Sequence, residues 1–163
     1  MRSLAVALPE ARAGRPVADG HDGRRHRLAP VPLAPGWLPQ GWKLVLEYGV
    51  EGGGVTVWER SYGPGTGGGP TPGGVPVAEV RLSDGPPSVG RPTTETGSRV
   101  VARLDVRGTT ATVERADAGQ VMAVRWREGR RGLAVAATFP TTPSARTVAA
   151  VQALLVRIAR GLH

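Results

Sequence analysis

The chain has no cysteine among its 163 residues, which excludes disulfides, thiolate catalysis and cysteine-based zinc sites together. Lysine is almost absent, Lys43 being the one exception among 21 basic residues. Aromatic residues are few, so Trp37, Trp42, Trp58 and Trp126 are expected to carry much of the packing. Histidine occurs only at positions 21, 26 and 163, leaving the patterned part of the chain without a side chain that titrates near neutrality. Long apolar runs are also missing. The run Leu4 to Leu8 stops at Pro9 and is shorter than a signal-peptide core, and nothing approaches the roughly 20 apolar residues of a spanning helix. As written, the chain reads as soluble.

Arginine, glycine and proline are plentiful. The formal charge is +8, and it is uneven: residues 31–90 carry five acids against three bases, whereas residues 91–163 carry twelve arginines against five acids. Such a balance points toward anionic partners, although an Arg-, Ala-, Gly- and Pro-rich composition also follows from GC-rich coding. Length and composition predict a tail without periodicity over residues 1–35, disordered by its composition, and a single domain over residues 36–163.

Within that domain, alternation predicts strands over Lys43 to Val50, "VTVWERSYG" and "VPVAEVRLSD", the last two parted by a Gly/Pro-rich loop at residues 63–74. In "SRVVARLDVRG" the residues Val100, Ala102, Leu104 and Val106 share one face, with Arg99, Arg103, Asp105 and Arg107 on the other. Two hairpins follow around "ADAGQ" and "EGRRG". Met122, Val124 and Trp126 point one way, with Val121, Ala123, Arg125 and Arg127 opposite, and Leu133, Val135, Ala137 and Phe139 form a further inward row. Thr142 reads as the N-cap of a closing helix with Pro143 at its first position, and Val148, Val151, Leu155, Ile158 and Leu162 form its apolar stripe. Seven strands and one amphipathic helix predict an α+β domain, an antiparallel sheet packed on that helix.

Motifs that would carry chemistry fail on context. Gly63, Gly65 and Gly68 satisfy G-x-G-x-x-G, but Pro70 and Pro72 forbid the helix N-terminus a pyrophosphate needs. His21 and His26 lie with Asp19 and Asp22 in the tail, beside Arg24 and Arg25, which would repel a cation. No catalytic residue, metal or cofactor is therefore expected. Two binding surfaces remain. One is a groove between sheet and helix, lined by Met122, Val124, Trp126, Leu133, Val135, Leu155 and Ile158, suited to an apolar ligand or a protein segment. The other is an outer face of Arg99, Arg103, Arg107, Arg125 and Arg127, suited to nucleic acid or another polyanion. Exposed there, Arg125 should tolerate alanine for under about 0.5 kcal/mol.

The stretches "WLPQGWKL" and "VRGTTATVERADAGQVMAVRWREGRRGLAVAATFP", followed by a helix ending "IARGL", resemble the extracytoplasmic sensor-like domains of the superfamily of lipoprotein-sorting factors and RseB-like sigma-factor regulators. The resemblance covers roughly residues 36–162. It implies a curved antiparallel sheet around a helix, a place in the cell envelope next to an anti-sigma region or in lipoprotein handling, and binding rather than catalysis.

Overall fold

The structure, a computed structural model, describes residues 17–18, 25–26, 33–52, 55–64, 77–92, 97–116, 119–140 and 144–163. The chain divides into two units, Met1–Leu33 and Ala34–His163. In the first, strand β1 (Val17–Ala18) pairs antiparallel with β2 (Arg25–His26). The expected disordered tail otherwise lies outside the described residues. Two-residue strands are too short to show as alternation, which is why this pair was not legible.

The second unit holds β3 (Trp42–Gly52), β4 (Val55–Pro64), β5 (Glu79–Gly85), β6 (Ser98–Val106), β7 (Thr109–Ala116), β8 (Val121–Glu128), β9 (Arg131–Thr138) and helix α1 (Ala145–Arg160). Seven antiparallel strands form one open sheet in the order β3-β4-β5-β9-β8-β7-β6, the α+β arrangement that the patterning predicts. The expected loop at residues 63–74 begins later: Gly63 and Pro64 pair with Lys43 and Trp42 as the end of β4, and the remainder lies outside the described residues.

Two cross-strand rows explain how the sheet partitions its faces. On one face Ala102, Val113, Val124, Val135 and Leu82 stand opposite one another across five strands, and the row ends in Arg60 and Glu47 on β4 and β3. The helix packs on β8, β9 and β6, and the row turns from apolar to charged beyond them. There the Arg60 Nε donates to Glu47 Oε2 at 2.5 Å. Val151, Leu155 and Ile158 are fully buried against this face, each worth about 1.5–3 kcal/mol of apolar burial. On the opposite face the matching row is Arg103, Thr112, Arg125, Ala134, Ser83, Glu59 and Tyr48.

The chain leaves β5 in the middle of the sheet and next joins it as β6 at the far edge. Its crossing lies on the face opposite the helix, where Val89 C=O accepts from Arg125 Nη1 at 3.0 Å. Small residues admit it. A Cβ on Gly132 would meet the Pro86 carbonyl and, at 2.6 Å, the Gly90 nitrogen, and a Cβ on Gly90 would run into the Trp126 carbonyl. Beneath the crossing Ala123 and Ala134 are buried, and the buried Glu114 accepts from Arg125 Nε at 3.0 Å.

The helix begins two residues later than expected, and Thr142 and Pro143 lie outside the described residues. Ser144, not Thr142, is the cap, its hydroxyl accepting from the Thr147 N–H at 3.2 Å. Leu162 lies beyond the helix, in a bridge with Pro35, and the backbones of Ala34 and His163 exchange hydrogen bonds. Residues 34–41 thus form a strap from the helix's C-terminal end to the head of β3, with Arg157 seated 3.7 Å from the Trp37 ring centroid. The Pro39 carbonyl and the positive φ of Gly41 turn this strap into β3 at Trp42.

Two substitutions test these assignments in thermal melts. Leu155→Asp buries a charge with no partner and should cost several kcal/mol, enough to unfold a domain whose total stability is about 5–15 kcal/mol. Arg125→Ala should cost about 1–3 kcal/mol, because it removes an ion-pair partner of the buried Glu114 carboxylate, rather than the negligible cost of an exposed change. A wild-type melt for Arg125→Ala would show that the crossing does not cover it.

Candidate functional site

All seven residues expected to line a groove come together, but as filled core. Met122, Val124, Trp126, Leu133, Val135, Leu155 and Ile158 are each 1% exposed or less. Helix α1 packs on β8 and β9 over these residues, so side chains occupy the space a ligand would need.

The five arginines do not form one face. A bulge between Val100 and Ala102 reverses the alternation of β6, so Arg99 stands opposite Arg115 and shares the helix side with Met122, whereas Arg103 pairs with Thr112 on the other side. Arg125 is held by Glu114 and the crossing, as described above. Arg107 occupies the two-residue turn between β6 and β7 with φ 53°, a left-handed conformation that favours glycine. Its side chain is committed: Nε donates to Glu128 Oε1 at 2.6 Å and Nη1 to the Leu162 carbonyl. Only Arg103 and Arg127 remain exposed on the face opposite the helix.

Arg107 belongs to a polar rim at the end of the sheet nearest the helix C-terminus. Trp126 Nε1 donates to the same Glu128 oxygen at 2.9 Å, which satisfies an indole N–H on a fully buried ring. Arg131 pairs with Asp84 through both Nε and Nη2, and that pairing holds its guanidinium more firmly protonated than usual. Arg160 Nη2 donates to the Asp105 carbonyl at 3.0 Å. Desolvation pushes the Glu128 carboxyl up, but the Trp126 and Arg107 hydrogen bonds and the nearby guanidinium charges outweigh it and leave the group below its ordinary value.

Beyond the helix, on the opposite face of β3–β5, a second network holds Tyr48, Glu59, Ser61, Glu79, Arg81 and Ser83. The Tyr48 hydroxyl donates to Glu59, Ser61 Oγ donates to Glu79 at 2.6 Å, and Arg81 lies 3.3 Å from Glu79 and 3.7 Å from Glu59. The hydrogen bond to Glu59 raises the Tyr48 pKa. The edge strand β3 also exposes three consecutive apolar residues, Leu44, Val45 and Leu46, at 47%, 65% and 52%. Val45 is the extra residue of a bulge, after which Leu46–Gly52 runs in regular register with β4.

The chain shows no significant match to any protein-family model, curated protein or solved structure. Neither the β3 strip nor the polar rim was singled out by the sequence. Alternation in "KLVLEYGV" left its outward edge unassigned, and the rim joins residues up to 55 positions apart.

The rim makes a pH prediction. A carboxyl whose folded pKa lies below its unfolded value stabilises the fold above the ordinary pKa of 4.5, and loses that contribution as pH falls through the folded value. Glu128→Gln should therefore melt below wild type at pH 7 by about 1 kcal/mol, and the gap should narrow as pH falls below 4.5. A gap independent of pH between 3 and 7 would show that the carboxylate charge contributes nothing.

Proposed function

We propose that this chain is a non-enzymatic binding module that takes an extended segment of a partner protein as an added strand along β3. The observation that carries the reading is the edge itself: eleven residues long, with no further strand on its outer side among the described residues, and with Leu44, Val45 and Leu46 exposed. An unpaired strand edge offers main-chain hydrogen bonds to an incoming strand, and the exposed apolar side chains supply contacts that select its sequence. The other edge, β6, interleaves its exposed Val100 and Val101 with Arg99 and Arg103, and its bulge falls at mid-strand. A filled core favours a protein segment over an apolar small molecule. The resemblance to lipoprotein-sorting and RseB-like domains supports binding over catalysis. Placement in the cell envelope, and a link to anti-sigma regulation or lipoprotein handling, belong to the same proposal and rest on that resemblance. Among the described residues no helix is long and apolar enough to cross a membrane.

The alternative, nucleic acid or another polyanion on the arginine face, draws less support, because Arg99 faces the other way and Arg107 and Arg125 are occupied. The test is selection of peptides from a random displayed library on the immobilised protein, followed by affinity measurement with Val45→Asp and Leu46→Lys variants. Peptides with alternating apolar residues, weakened at least tenfold by either substitution, are the expected result. Selected peptides indifferent to both, or tight DNA binding that collapses as salt rises, would overturn it.

A further inference from the structure

One seam of the sheet opens at its end. The β7–β8 register runs from Arg115 opposite Met122 to Thr112 opposite Arg125 and stops, although β7 begins at Thr109 and β8 continues to Glu128. The flanking seams stay paired to their turns, Val106 with Thr109 on one side and Glu128 with Arg131 on the other. The parted strands frame an open hollow of about 390 Å³ lined by Gly90, Thr109, Thr110, Arg127 and Gly129. That volume falls within the range of small-molecule sites.

The chemistry of the lining is selective. Arg127 is exposed and makes no ion pair or hydrogen bond among the described residues, whereas Arg107, Arg125 and Arg131 around it are all engaged. Thr109 spends its hydroxyl proton on the Val106 carbonyl at 3.0 Å, which leaves the exposed Thr110 as the free hydroxyl donor. Two of the three carboxylates close by are engaged by arginine. Glu128 is held by Arg107 and Trp126, Glu114 by Arg125, and Asp105, opposite Thr110, lies 3.4 Å from the Gly108 N–H. Arg103 and Arg130 add exposed positive charge on β6 and in the β8–β9 turn.

We infer that this hollow binds a small organic molecule through a phosphate-type oxyanion, with the Arg127 guanidinium as the charged fork and the Thr110 hydroxyl as second donor. A guanidinium matches two oxygens of such a group at once, and a charge-assisted pair of this kind is roughly twice as strong as a neutral hydrogen bond. The hollow is roomier than a lone phosphate requires, so an organic body is part of the ligand. The crossing from β5 supplies its wall through Gly90, where a side chain would collide with the Trp126 carbonyl and Arg127.

The experiment is titration of the isotopically labelled full chain with inorganic phosphate, phenyl phosphate and benzyl alcohol at constant ionic strength, followed by amide NMR. The expected result is saturable shifts at Thr109, Thr110, Arg127 and Gly129, tighter with phenyl phosphate than with phosphate and absent with benzyl alcohol. Arg127→Gln should weaken phenyl phosphate about tenfold and Thr110→Val by a smaller factor, whereas Arg146→Gln, on the helix, should leave it unchanged. Because Arg127 and Thr110 are exposed, both variants should keep the wild-type spectrum elsewhere. Shifts spread over Arg146 and Arg157 as well, equal affinity in Arg127→Gln, or no shift at millimolar phenyl phosphate would overturn the inference. None of these outcomes depends on the β3 edge.

Discussion

The pairing of β5 with β9 is the interaction on which the rest of the domain depends. Without it the chain would be two meanders, β3-β4-β5 and β6-β7-β8-β9, each with one face to hide and no common core. Seven residue pairs from Glu79 opposite Thr138 to Gly85 opposite Gly132 join strands far apart in sequence, and they put Leu82 into the valine row that receives the helix. The same pairing obliges the chain to cross the sheet between β5 and β6, and the crossing fits because Gly90 and Gly132 have no side chains. Covered by helix on one side and crossing on the other, the middle of the sheet becomes core, and binding chemistry is left to its edge and its end.

Several of the described arginines serve as structure. Arg107 holds a backbone conformation worth roughly 1–2 kcal/mol of strain for a residue with a Cβ, and its guanidinium ties that turn to Glu128 and to the chain's last residues. Arg131 closes the β5–β9 seam onto Asp84, Arg125 neutralises a buried carboxylate, and Arg157 covers Trp37. On the face opposite the helix, Arg103 and Arg127 are exposed and make no ion pair or hydrogen bond among the described residues.

Much of the fold was legible because its local signals agree. Period-two rows in β6 through β9, glycine in the tight turns and a three-and-four spacing in the helix all point to one meander under one helix. What escaped is non-local or concealed by similar residues. The bulge at Val101 sits in "VVA", where an extra apolar residue looks like its neighbours, and it sent Arg99 to the wrong face. The bulge at Val45 in "LVL" conceals the β3 strip for the same reason. The crossing joins positions whose proximity no periodicity encodes, and so Arg125 read as exposed. The groove residues were identified correctly as inward facing, but a pattern that marks an inward face does not tell a filled core from an open one.

The direct test of one core spanning both meanders is native-state amide hydrogen exchange measured residue by residue. If the β5–β9 seam unites the sheet, the amides of Val80, Leu82, Val135 and Ala137 that exchange only through unfolding will do so with one common free energy, shared with those of Val113 and Val124. If the β3–β5 amides instead open as a separate unit at distinctly lower free energy while β6–β9 stays protected, the domain is two meanders in contact, and the account is wrong.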